Sequence, residues 1–145
     1  MSSKVALTGN KQVIQKIKVV NNGIKNPKVA LKRIGIRILN EVNKNFQRGG
    51  NDGVAWQANA PVTIARKGSS RPLIDTGNLR GSFTFQVRNN NQVQIGSPVF
   101  YSEFHEFGVV GKIPQRKMLP KDASAAKIAK QEVQRYLLEL TKKPV

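Results

Sequence analysis

The stretch from Asn26 to Gly53 constrains the fold more than any other part of the chain. Leu31, Ile34, Ile38, Val42 and Phe46 recur at spacings of three and four, the period of a helix that buries one face. Asn26 and Pro27 form a start signal, with asparagine as cap and proline in the first turn. The spacing predicts a helix running to about Gln47, ended by a flexible turn over Arg48-Gly49-Gly50-Asn51-Asp52-Gly53. Lys28, Lys32 and Lys44 lie away from the apolar stripe. Gly35 weakens the helix locally and marks close packing.

Such a helix needs a surface to cover. Ser82 to Arg88 alternates through Phe83, Phe85 and Val87. Gln92 to Ile95 alternates again through Val93 and Ile95, and Asn89-Asn90-Asn91 forms the turn between them, which together predicts a β-hairpin. Residues 121–140 predict a last helix with Ala125, Ala129, Val133, Tyr136, Leu137 and Leu140 toward a core. Val99 to Phe107 is aromatic-rich and reads as a strand turning at Gly108. Residues 54–72 read as a loop whose basic end, Ala65 to Pro72, is expected to be mobile. Thr76-Gly77-Asn78-Leu79-Arg80 reads as a helical turn capped by Thr76. Before Asn26, Lys4–Leu7 reads as a strand or arm. Val13, Ile14, Ile17 and Val20 suggest a further helix, stopped at Asn21-Asn22-Gly23 with Gly23 at positive φ. The expected class is α+β, helices packed on a small antiparallel sheet. A length of 145 residues suits one domain over 1–145, with residues 1–25 as a looser basic arm or helix.

Charge narrows the function. There are 25 Lys and Arg against 8 Asp and Glu, a formal net charge of +17. Residues 1–50 hold 11 of the bases and 1 of the acids. A balance this one-sided points to nucleic acid or to an acidic protein neighbour. Lys28, Lys32, Arg66, Lys67 and Arg71 are the candidate contacts to DNA or an acidic partner. No run of about 18 apolar residues exists to cross a membrane, and Met1 to Asn10 lack the apolar stretch of a secretory signal. The absence of cysteine excludes disulfides and thiolate metal sites.

Catalytic constellations are thin. Glu103, His105 and Glu106 invite a metal or acid–base reading. On a strand only Glu103 and His105 would share a face, too few ligands for a closed zinc site, so a structural or interface histidine is expected. Asp75-Thr76-Gly77 matches an aspartic-protease triplet, but that chemistry needs two paired carboxylates, and a threonine cap is the simpler reading. No nucleophile elbow, P-loop or dinucleotide-binding glycine pattern appears. Trp56 can stack on a base, yet a lone tryptophan after a glycine-rich turn is expected to anchor its loop to the core. Phe100, Tyr101, Phe104 and Phe107 are expected in core or subunit-interface packing rather than as a base-stacking platform. No cofactor is expected.

The order of four short blocks goes further. They are Phe46-Gln47-Arg48-Gly49-Gly50 ahead of Trp56; Leu73-Ile74-Asp75-Thr76-Gly77-Asn78-Leu79-Arg80-Gly81-Ser82-Phe83; Ile95-Gly96-Ser97 followed by Tyr101-Ser102 and by His105 and Gly108; and Ile113-Pro114-Gln115-Arg116-Lys117-Met118-Leu119. In this order residues 46–120 resemble the phage virion morphogenesis family, the tail-completion proteins of Mu-type and related phages and prophages. Ser102 stands where the family usually has alanine, and Lys117-Met118 where it has proline and phenylalanine. The resemblance implies a non-enzymatic structural protein, made in the bacterial host cytoplasm and carried in the virion. It would act in tail completion and head–tail joining as a homo-oligomeric ring beside other tail and neck proteins, with possible contact to packaged DNA and none to membrane. A non-sequence-specific DNA-binding module is the alternative.

The resemblance carries no catalytic residues. Tyr101, His105, Gly108, Pro114 and Arg116 become the assembly candidates. Gly77, Gly96 and Gly108 suit tight turns, and Pro114 an extended entry. Arg116 suits a bidentate bond to a carboxylate, and His105 suits bonds on both sides of its ring.

Overall fold

A computed structural model describes residues 22–143. The strand or arm at Lys4–Leu7 and the helix over 11–20 lie outside the described residues. Residues 22–25 are helical, so Gly23 does not stop a helix at positive φ but sits buried within one. It is there for space, because a Cβ at Gly23 would run into the Leu140 side chain. The break comes at Asn26-Pro27, where proline disfavours helical backbone in the residue before it.

Helix α1 spans Lys28–Arg48. Pro27 rather than Asn26 occupies its cap position, and no side chain caps it. The Leu31 N–H donates to the Pro27 carbonyl at 2.9 Å. Gly49 closes the other end in the left-handed region, φ 65°, with its N–H on Asn45 O. Ala30, Ile34, Ile38, Val42 and Phe46 are buried, while Leu31 is only half-buried. A row at every fourth residue drifts about 40° per step round a helix of 3.6 residues per turn. The two ends of α1 therefore face different neighbours.

Immediately after α1, β1 (Gly50–Asn51) pairs antiparallel with β2 (Val54–Ala55). Asp52 and Gly53 both adopt positive φ, so the expected flexible turn is a tight Asp-Gly hairpin. Residues 54–72 are not a featureless loop. Helix α2, Pro61–Lys67, has proline in its first turn and Gly68 at φ 72° as C-cap. The signal was Pro61 and Gly68 bracketing one short helix. Helix α3, Asn78–Gly81, is preceded by Gly77 at φ 87° in the cap position. The Thr76 hydroxyl accepts only a long bond, 3.4 Å, from Asn78 N.

Strands β3 (Thr84–Arg88) and β4 (Gln92–Gly96) form the expected hairpin, pairing Thr84 with Gly96 and Arg88 with Gln92. Asn89 and Asn90 hold positive φ in its turn, a conformation asparagine tolerates. Gly96 ends β4 and makes no turn of its own.

Val99 to Phe107 is not a strand: Ser102–Phe107 is helix α4. Aromatic residues suggested a strand by propensity, but Tyr101 and His105 stand four apart, and Phe100, Phe104 and Phe107 follow at four and three, a helical spacing. Helix α5 spans Asp122–Lys142. It buries Ile128, Glu132 and Leu140, with Ala125 and Ala129 against the core, whereas Val133 is exposed.

The upper part of α1 packs on α5 and on the β3–β4 hairpin through Ile34, Ile38 and Ile128, with Val93 and Ile95 beside them. Its lower part enters a second cluster, Val42, Phe46, Trp56, Leu79 and Met118. The rings of Phe46 and Trp56 meet edge to face at 5.4 Å. Trp56 anchors its loop as expected, and its indole N–H donates to Lys117 O at 2.9 Å. The architecture is α+β, helices on two small antiparallel hairpins.

Candidate functional site

Residues 115–119 form an extended span that side chains hold from both sides. Asn51 donates to the carbonyls of Lys117 and Leu119 at 3.1 and 2.7 Å. Asn45 donates to Met118 O at 2.8 Å. From α4, Glu106 Oε2 accepts the N–H groups of Met118 and Leu119 at 2.7 and 3.3 Å. Glu106 is thus committed to holding this span, and Glu103 is exposed. Helix α4 does not gather the Glu103, His105 and Glu106 triplet into a site. Among the described residues no group of three or more His, Asp or Glu is placed to hold a metal ion.

The span delivers Arg116 to one wall of a cleft of about 590 Å³. Arg116 is buried. Its Nε–H donates to Gln57 O at 2.9 Å and its Nη2 to Ala58 O at 3.3 Å. A carboxylate for Arg116 was expected within the fold or across a subunit boundary, and among the described residues of this chain none bonds it. Two backbone carbonyls take its place, because the loop after Trp56 passes in front of the guanidinium. The Arg116 N–H donates to His105 O at 2.7 Å, satisfying a carbonyl near the end of α4. Pro114 lines the cleft in the extended approach to Arg116. Gly108, at φ 73°, makes the turn between α4 and this approach, where a Cβ would press on Gln115 N at 2.9 Å.

His105 stands one helical turn from Tyr101, the two rings edge to face at 6.4 Å. Its imidazole does not bond on both sides, since Nδ1 is buried without a hydrogen-bond partner. Burial, and then the charge of Arg116, hold its pKa below the ordinary value, so the ring is neutral near pH 7. Across the cleft, Asn59 Nδ2 is likewise buried and unpartnered. Lys67 is pushed down by burial, with Asp75 opposing and Arg66 and Arg116 adding to the effect. Burial also lowers the Arg116 pKa.

Of the assembly candidates, Tyr101, His105, Pro114 and Arg116 line this cleft, and Arg66 and Lys67 from the basic set line it too. Arg71 is outside the lining but accepts from Lys67 Nζ at 2.7 Å through its carbonyl. Lys28 and Lys32 lie elsewhere, exposed on α1. Sequence reasoning missed Asn59 and Lys112, which carry no motif of their own. Asp75 was weighed only as part of a protease triplet. Of the aromatics expected in core or subunit-interface packing, Tyr101 packs on the core, whereas Phe100, Phe104 and Phe107 are exposed, as is Val110.

No helix among the described residues is long and apolar enough to cross a membrane. The model of the phage virion morphogenesis family matches residues 8–143, which extends the likeness well beyond the four blocks in both directions. No curated protein and no solved structure matches the chain.

Proposed function

Because the chain belongs to the phage virion morphogenesis family, we propose that it is a non-enzymatic component of tail completion and head–tail joining, working as a homo-oligomeric ring beside tail and neck proteins. The observation that carries this reading is the convergence of the second, third and fourth family blocks on one cleft. Blocks recurring at fixed order through a catalytic pocket would be expected to supply a nucleophile or a paired acid and base. Here they supply packing, a buried arginine held by carbonyls, and an unpartnered imidazole nitrogen. Those are the elements of a recognition surface. The exposed Phe100, Phe104, Phe107 and Val110 add apolar area of the kind that marks protein contacts.

The test is a deletion of the gene in its phage. Electron microscopy of the lysate should show filled heads and free tails that do not join, restored by added protein. Sedimentation of the purified chain should show a closed oligomer, alone or on tails. Joined infectious particles from the deletion mutant would refute the reading.

The 25 basic against 8 acidic residues favour one alternative, a module that binds duplex DNA without sequence preference. It requires binding whose logarithm falls with log salt at about −0.9 per phosphate contacted. No binding at low salt removes it.

A further inference from the structure

The cleft holds both signs of charge and two unsatisfied polar groups. Arg66, Lys67, Lys112 and Arg116 line it together with Asp75. His105 Nδ1 and Asn59 Nδ2 are buried in its walls with no partner among the described residues, although buried polar groups are nearly always bonded. Leu73 lines the same cleft at φ 62°, a conformation that a branched side chain adopts only under strain. Leu79, Tyr101, Ile113 and Pro114 add apolar surface to its walls, and Gln57, Thr63, Thr76 and Asn78 add neutral polar surface. Cations, amide donors, one carboxylate and apolar walls together match a peptide, which offers carboxylates, N–H groups and side-chain carbon. They do not match a nucleic-acid backbone, which offers anionic acceptors at close, regular spacing and wants a track of cations without Asp75. A volume near 590 Å³ also falls in the range that encloses a small ligand or a few residues.

We propose that this cleft is the docking site for a carboxylate-bearing peptide segment of a neighbouring virion protein, with Arg66, Lys112 and Arg116 facing its carboxylates and Asn59 and His105 bonding its backbone or side chains. That the segment belongs to a virion neighbour rests on the assembly reading above; the cleft's preference for an acidic peptide does not. Arg116 already uses two donors on Gln57 and Ala58, which leaves further donors of the fork for a ligand. Asp75 accepts an N–H from the segment, which sets its direction in the cleft.

The probe is fluorescein-labelled hexaglutamate, with hexaglutamine as its neutral counterpart, added to the isotope-labelled full chain. Hexaglutamate should shift the Asn59 side-chain amide and the His105 imidazole resonances, and hexaglutamine should not. The double variant Arg66→Ala/Lys112→Ala, both positions exposed, should weaken binding about tenfold or more, the equivalent of one good charge-assisted contact. The pair Lys28→Ala/Lys32→Ala removes the same charge from α1 and should leave binding unchanged. Equal weakening by both pairs, or shifts that avoid Asn59 and His105, would overturn the proposal. So would a short DNA duplex that displaces hexaglutamate and shifts the same resonances, since the cleft would then take phosphate. Unjoined heads and tails without peptide binding would sink this proposal and leave the assembly reading intact. Specific peptide binding in a protein whose deletion leaves particles joined would sustain the cleft and remove the assembly reading.

Discussion

Replacing Glu106 tests whether α4 holds the span that carries Arg116. The Glu106 carboxylate accepts Met118 N–H at 2.7 Å and Leu119 N–H at 3.3 Å. Met118 is 1% exposed, so alanine at 106 leaves its N–H without acceptor or water. A hydrogen bond to a charged group contributes about 1.5–3 kcal/mol. The 3.3 Å bond adds little, so Glu106→Ala should lower stability by about 2–3 kcal/mol. Glutamine keeps an acceptor but loses the charge, which halves the bond's strength, and should cost about 1 kcal/mol. Urea unfolding measures both values, with a slope of about 1–3 kcal/mol per molar. Trp56 adds a local probe, because its indole N–H is bonded to Lys117 O at 2.9 Å. Its emission should shift to the red in Glu106→Ala below the global transition, as the span loosens. If alanine and glutamine both unfold within about 0.5 kcal/mol of the parent, with unchanged Trp56 emission, Glu106 does not hold this wall.

Three further outcomes follow from the packing and the charges. Gly35→Ala gains about 1 kcal/mol of helix propensity, but its Cβ would meet Phe85 Cγ at 2.6 Å, an overpacking that costs about 1–3 kcal/mol. Thermal unfolding should show net destabilisation that reverses to a gain in a Phe85→Ala background; the same effect in both backgrounds would contradict the contact. Glu132 is 1% exposed, with Oε1 at 3.1 Å from Arg37 Nη1 and Oε2 unpartnered. Glu132→Leu should therefore be neutral or stabilise by about 1–3 kcal/mol, while Arg37→Ala, which leaves the carboxylate only the exposed Arg135 at 3.6 Å, should cost about 1–2 kcal/mol after allowing for the exposure of both arginines. Equal losses in the two variants would show that the ion pair itself stabilises the fold. For His105, burial and then Arg116 depress the folded-state pKa below the unfolded value of about 6.5. The unfolded chain then takes up the proton first, so the contribution is complete above about pH 6.5 and is lost as pH falls toward the folded pKa. The melting temperature of the parent should drop relative to His105→Gln across that window, and parallel pH curves would refute it.

The α1 stripe and the β3–β4 hairpin were legible because each states its period over many residues. Leu31 to Phe46 repeats at three and four, and Phe85 to Ile95 alternates on either side of a turn whose asparagines accept positive φ. Helix ends were less legible because tertiary contacts decide them. Gly23 reads as a stop in isolation, yet its role is set by Leu140, which is 117 positions away in sequence. The strand expected at Val99 to Phe107 shows a related failure. Aromatic propensity was weighed above the spacing of Tyr101, His105, Phe104 and Phe107, and in so short an element the spacing is the stronger sign of which side chains share a face.

The cleft shows what motif order conveys and what it omits. Arg116 and His105 were legible as important positions, but not their partners, because a carbonyl carries no signature in sequence. Gln57 and Ala58 hold the guanidinium through backbone oxygens, which any residue type supplies. The residue types at those two positions therefore do not disclose the arginine's partner. Asn59 is hidden for the opposite reason. Its amide nitrogen has no hydrogen-bond partner among the described residues, so no intramolecular partner betrays it. A buried amide nitrogen and a buried imidazole nitrogen without partners are costly to the fold that carries them. Those groups are the ground for proposing the cleft, rather than the basic surface of α1, as the place where a neighbour docks.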